Sequence, residues 1–254
     1  MILKRQKLGA IALTKEIGAD GLELDMGPLG DRETFENGLA NEETRKRFQE
    51  EAERLGITFC SIAMSGFYAQ SFAERPTYRR MITDCITTMN QLNVKVGFLP
   101  LGVKNDLVQF PDLRPTVVQR LKEVGKMAQD ANVTIGIESA LDAEAEVRLL
   151  DDIGSPAVRC YFNFANALQQ NRNLFEQLKV LGKDRICQIH CTDEDGVWLE
   201  NNKRLDMAQV KKALVEMNWK GWLVMERSRD ANNARDVKGN YGANARYLKK
   251  IFSP

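Results

Sequence analysis

Three side chains of the kinds that hold metals or move protons each close a short apolar run. Glu138 ends Ile135-Gly136-Ile137-Glu138, His190 ends Cys187-Gln188-Ile189-His190, and Glu226 ends Leu223-Val224-Met225-Glu226. A carboxylate at the end of a buried run is costly unless it is paired or bound to a cation. His190 is the single histidine of the chain, so a centre built from several imidazoles is excluded. One imidazole with two carboxylates suits one Mn²⁺, Zn²⁺, Co²⁺, Fe²⁺ or Mg²⁺ ion, without choosing among them. Taken singly, each residue has an ordinary structural explanation, such as a helix cap, an ion pair or a hydrogen-bonded core histidine. The three together point to a site.

The elements that must position them alternate along the whole chain. Short apolar runs at 21–26, 57–64, 94–99, 133–137, 157–164, 186–191 and 221–226 read as strands, and the longer amphipathic stretches between them read as helices. Those helices fall at 6–17, 41–55, 77–92, 115–130, 143–152, 174–181, 207–217 and 241–252. Asn41 supplies an N-cap, while Gly18, Gly56, Gly154 and Gly182 supply stops. Repeated βα units over 254 residues predict one α/β barrel of the TIM (β/α)8 type, occupying 1–254 as a single domain. The order begins on a helix, giving eight helices but seven strands, so the first β-strand of an eightfold barrel is missing. Either the natural protein starts upstream of Met1, or the barrel has a gap flanked by unpaired strand edges.

In such barrels the chemistry sits at the C-terminal ends of the strands, which are occupied here by Glu23 and Asp25, Met64-Ser65, Pro100, Glu138, Asn163 and Asn166, His190 and Glu226. Phe67 and Tyr68, on the loop after Ser65-Gly66, could form an apolar wall of the mouth, as could Trp198; Glu23 could reach the mouth; and Arg227 and Arg229 could take an anionic group. Thirty-six basic against 35 acidic residues, a net charge of +1, argues against a nucleic-acid or anionic-membrane binder. No run of about 20 apolar residues offers a membrane span. Five cysteines without a close CxxC pair read as free, mostly buried thiols. No Gly-rich phosphate loop points to NAD or ATP.

The order Glu138, Asn163, His190, Glu226 on successive strand ends, with the stretches 20–24, 161–167 and 221–226, resembles the xylose isomerase-like barrel family, including its sugar phosphate isomerase/epimerase group. The resemblance runs from about Gln6 to the C-terminus. It implies one divalent cation held by Glu, Asp, His and Glu, here Glu138, Asn163, His190 and Glu226. It also implies a small carbohydrate substrate and two glutamates that move protons on opposite faces of the sugar. The chain departs from the family at Asn163, which stands where Asp is usual, leaving two negative ligands instead of three and a weaker metal site. The implied chemistry is proton abstraction next to a carbonyl to give an enediolate, with Glu138 and Glu226 as acid and base. A lyase or dehydratase starts from the same carbanion, and a sugar-binding protein with weakened catalysis is the further alternative. The stretches 64–76, 98–107 and 226–230 resemble a bacterial subgroup with an upstream export signal. The chain as it stands is therefore expected to be soluble and cytoplasmic, or exported to the periplasm if such a signal precedes it. A homo-oligomer is left open.

Overall fold

A helix between every pair of strands forces the strands to run parallel, because a parallel connection must cross back over the sheet. The computed structural model describes residues 6–252. Its strands are β1 (Gly21–Asp25), β2 (Thr58–Ala63), β3 (Val96–Pro100), β4 (Thr134–Glu138), β5 (Val158–Asn163), β6 (Ile186–His190) and β7 (Leu223–Val224). They form one seven-stranded sheet in sequence order, each parallel to the next. This is a nearly closed TIM barrel.

The described residues contain nine α-helices where eight were expected: α1 (Gly9–Glu16), α2 (Glu42–Leu55), α3 (Tyr78–Gln91), α4 (Arg114–Asp130), α5 (Ala143–Ile153), α6 (Phe164–Gln169), α7 (Leu174–Leu181), α8 (Met207–Glu216) and α9 (Val237–Phe252). The additional helix is α6. It follows β5 without a break because Asn163 is both the last residue of the strand and the N-cap of the helix, its side chain accepting from the Ala165 N–H. No glycine or proline marked that boundary.

Two apolar cores result. The larger lies between the sheet and its ring of helices and holds Ile62, Leu99, Ile135, Ile137, Val117 and Leu149. The smaller lies inside the barrel, where Ala63, Phe98 and Tyr161 pack together. Burial at about 25 cal/mol per Å² of apolar surface makes these layers the main stabilising contribution. All five cysteines are free thiols, four of them buried and Cys187 partly so.

The sheet ends, β1 and β7, are not paired with each other. A cavity of about 430 Å³ opens along this seam, lined by Gly18, Gly21, Trp222, Leu223, Leu248 and Phe252 among others. Trp222 crosses it: a Cβ on Gly21 would sit 2.9 Å from its indole ring. Lys249 of α9 also pairs with Asp20 at 2.8 Å, just before β1. Among the described residues, no helix is long and apolar enough to cross a membrane.

Candidate active site

Side chains alternate across a strand, so residues two apart share the barrel interior. On β6 these are Gln188 and His190, on β5 Tyr161 and Asn163, and on β4 the strand-end Glu138. Lateral pairing sets them side by side, Asn163 opposite His190 and Pro100 opposite Glu138. Glu226 lies just beyond β7, which is shorter than the 221–226 run expected. After Val224 the chain leaves the sheet, and the N–H groups of Glu226 and Arg227 donate to Thr192 Oγ1 at 3.2 and 2.9 Å. The Tyr241 hydroxyl donates to the Glu226 carbonyl at 2.6 Å. These contacts turn the glutamate over the mouth.

Glu138, His190 and Glu226 meet there, with one ligand atom of each within 4.8 Å of the others. His190 Nδ1 lies 2.9 Å from Glu138 Oε2 and 3.8 Å from Glu226 Oε2. Two carboxylates and one imidazole brought this close together are a donor set that suits a divalent cation. Side-chain exposure is 0% for His190, 5% for Glu138 and 14% for Glu226, which places the solvent opening on the Glu226 side.

Asn163 joins the cluster through its amide nitrogen. Its Nδ2 donates to Glu138 Oε2 at 2.9 Å and to Glu226 Oε2 at 3.3 Å, while its Oδ1 accepts from the Ala165 N–H at 2.9 Å. The oxygen expected to ligate metal is thus engaged by the start of α6. Tyr68, expected as an apolar wall, instead donates its hydroxyl to Glu138 Oε1 at 2.8 Å. Gly102 lets the β3–α4 loop lie against it, since a Cβ there would come within 2.8 Å of the Tyr68 backbone. Buried Asn105 ties the same loops together by accepting from Ser71 Oγ and the Ala73 N–H, both at 3.0 Å.

Beneath His190 lies a polar layer that the sequence reading did not identify. Glu23, fully buried, accepts from Ser61 Oγ at 2.6 Å and from the Tyr161 hydroxyl at 2.7 Å, and its Oε1 is 3.3 Å from His190 Nε2. Gln188 donates to both hydroxyls at 2.8 Å. Glu23 therefore lies below the imidazole and not at the open mouth. The rings of Phe98 and Tyr161 flank His190, at centroid distances of 4.8 and 4.5 Å. The period-two relation of Gln188 to His190 and of Tyr161 to Asn163 was the available signal.

The charges follow from this packing. Burial alone would lower the His190 imidazolium, but its hydrogen bonds to Glu138 and Glu23 outweigh burial and push it up to about 10. Burial raises Glu23, but His190, Ser61 and Tyr161 together hold its carboxyl below the usual range. Burial raises Glu226, with Glu138 adding to the rise and His190 and Arg227 opposing it. Burial and the neighbouring Glu138 push the Tyr68 phenol well up, so it remains a hydrogen-bond donor.

Four other residues expected in the site are placed elsewhere or bound differently. Phe67 is a correction: it is fully buried, edge-on to Phe35 and Phe72 at 5.8 and 5.7 Å, and belongs to the core. Trp198 is tied to α9, its indole N–H donating to Asn240 at 2.8 Å. Asn166 donates to the Ser139 carbonyl at 3.1 Å, just beyond Glu138. The Arg229 guanidinium is engaged by Asp195, whereas Arg227 is exposed beside Glu226.

A parallel barrel carrying carboxylates and an imidazole at its C-terminal mouth defines a class of α/β-barrel enzyme scaffold. Within that class, the chain belongs to the xylose isomerase-like TIM barrel family, whose sequence pattern matches residues 11–251. No curated protein matches it. Among solved structures it is similar to D-psicose 3-epimerase of Clostridium cellulolyticum H10, with TM-score 0.76 and 16% identity over 98% of this chain and 94% of that one. It is also similar to the 3-keto-D-glucoside 4-epimerase YcjR of E. coli, with TM-score 0.74 and 15% identity over 98% of both chains. A third is the probable 3-DHS dehydratase AsbF of Bacillus anthracis, with TM-score 0.68 and 12% identity over 94% of this chain and 92% of that one.

Proposed function

We propose that the protein is a metal-dependent isomerase or epimerase of a sugar or sugar derivative, acting by proton transfer next to a carbonyl. The observation that carries this reading is the convergence of Glu138, His190 and Glu226 within 4.8 Å at the barrel mouth. These three would hold one divalent cation, which when bound would polarise a substrate carbonyl and its neighbouring hydroxyl. Family membership supports the same reading.

The chain's own groups then divide the work. Glu226, the more exposed carboxylate, has one oxygen turned to Asn163; its Oε1 makes no hydrogen bond among the described residues and is free to take the carbon-bound proton. The electron pair of that C–H bond moves to the carbonyl oxygen, giving an enediolate. Glu138, held by Tyr68 and Asn163, stands on a different strand end; it takes a proton from solvent before the substrate closes the mouth and delivers it to the enediolate, and Glu226 releases its proton to solvent once the product leaves. Return to the same carbon from the opposite face epimerises it, and return to the neighbouring carbon isomerises the sugar. Arg227, exposed next to Glu226 in the chain, would meet an anionic substituent of the substrate. Apolar walls around His190 exclude water and strengthen these interactions.

The test is incubation with Mn²⁺ and a panel of ketoses, keto-glycosides and their phosphates in D2O, followed by NMR. Deuterium at the carbon next to the carbonyl, with an isomeric product, is the expected result. Loss of water and formation of a carbon–carbon double bond would show a dehydratase instead.

A further inference from the structure

We infer that Asn163 is a clamp for the two acid–base glutamates and not a metal ligand, so that this chain's metal centre has three protein ligands, Glu138, His190 and Glu226. The inference rests on the proposed function for its consequence at the metal; the clamp itself is present in the hydrogen bonds.

Both ends of the amide fix its orientation. Oδ1 accepts from the Ala165 N–H at 2.9 Å, and Nδ2 donates to Glu138 Oε2 and Glu226 Oε2 at 2.9 and 3.3 Å. Turning it over would aim NH₂ at an N–H and an oxygen at two carboxylates, losing every one of these bonds. The helix start would lose its cap as well, at a cost of about 1 kcal/mol. Asn163 is 6% exposed, so water offers little compensation for the lost partners.

The amide thereby does part of what a cation does for the pair: it places a donor between the buried Glu138 and the partly exposed Glu226, whose carboxylates would otherwise repel. It also fixes which oxygens face each other, leaving Glu138 Oε1 to Tyr68 and Glu226 Oε1 free for proton transfer. An Asp at this position would still cap α6, since aspartate caps as well as asparagine. It would, however, set a third negative charge against Glu138 and Glu226. Binding a divalent ion would relieve that repulsion, so the substitution should weaken the metal-free protein and tighten the metal site.

The test compares wild type with Asn163→Ser, which keeps a capping oxygen but removes the NH₂, and Asn163→Asp, which keeps the cap and adds the charge. Mn²⁺ affinity is measured by chelator competition and metal-free Tm by calorimetry. The expected result is that Asn163→Ser binds Mn²⁺ within about threefold of wild type, because no ligand is lost. Asn163→Asp should bind at least about tenfold more tightly, and its metal-free Tm should fall at least about 4 °C below that of Asn163→Ser. In wild type, a Zn²⁺ titration followed by amide NMR should leave the Ala165 N–H hydrogen-bonded and protected from exchange. A tenfold loss of affinity in Asn163→Ser, or loss of Ala165 protection on adding Zn²⁺, would overturn the clamp by showing that the amide oxygen goes to the ion. If none of the three binds Mn²⁺ or Zn²⁺, the proposed function fails. The clamp is then decided by the metal-free Tm values alone, and equal stability of the Asp and Ser variants overturns it.

Discussion

Glu138 is held from three different elements: it accepts from Tyr68 at 2.8 Å and from Asn163 at 2.9 Å, and its Oε2 lies 2.9 Å from His190 Nδ1. Such a carboxylate is held in one rotamer, which is what proton return to a fixed carbon requires. Tyr68→Phe removes one donor while keeping the ring against Phe98. The rate of carbon–deuterium exchange is expected to fall about tenfold, the kinetic equivalent of losing a hydrogen bond to a charged group. Unchanged circular dichroism would accompany it; an exchange rate equal to wild type would contradict the assigned role. At this scale the strand-end residues were legible because Glu138, His190 and Glu226 each interrupt an apolar run. Glu23 was harder to place, since its partners Ser61, Tyr161 and His190 lie 38, 138 and 167 residues away and meet only when the barrel curls. Phe67 was misplaced because a loop aromatic gives no direction, and here Phe35 and Phe72 draw it inward.

The elements around the site have their own strain, and α5 shows it. Glu146 is buried on this helix, accepts from Ser139 Oγ at 2.5 Å, and leaves its Oε1 without a partner. Burial pushes its carboxyl up to about 7 from 4.5, against the opposing Ser139 hydrogen bond. Between those values the folded protein keeps a proton that the unfolded chain releases, so stability falls as pH rises through this window and stays reduced above it. The cost of the buried charge above pH 7 is on the order of 3 kcal/mol. Glu146→Gln removes it: thermal melts should show the variant above wild type at pH 8 and the two converging near pH 4.5. A difference that does not vary with pH would refute the assignment. The helices were readable from their caps and stops, as with Asn41 and Gly56 around α2 and Gly154 after α5. The short α6 was not, because its cap is the last residue of a strand.

The whole molecule is a barrel with one seam. Counting strands exposed the shortfall in the sequence, but not how the structure accommodates it: Trp222 fills the space against Gly21, and Lys249 spans to Asp20. Among the described residues β1 and β7 have no partner strand on their outer edges, and open edges of this kind invite pairing with other chains. Trp222→Ala should therefore destabilise the protein by about 3 kcal/mol, lowering Tm by roughly 6–10 °C, and should raise light scattering on heating. An unchanged Tm would mean that the ring does not support the seam. The seam and the site share β7. Trp222 is four residues before Glu226, so the variant also shows how far closure of the barrel governs the position of the last ligand.

A divalent ion held where β4, β6 and the end of β7 meet is detectable by anomalous scattering from crystals soaked in Mn²⁺. A single strong peak is expected between the carboxylates of Glu138 and Glu226 and Nδ1 of His190, with the Asn163 amide nitrogen still on the two carboxylates. No peak there, or a peak only elsewhere, would contradict this placement of the ion.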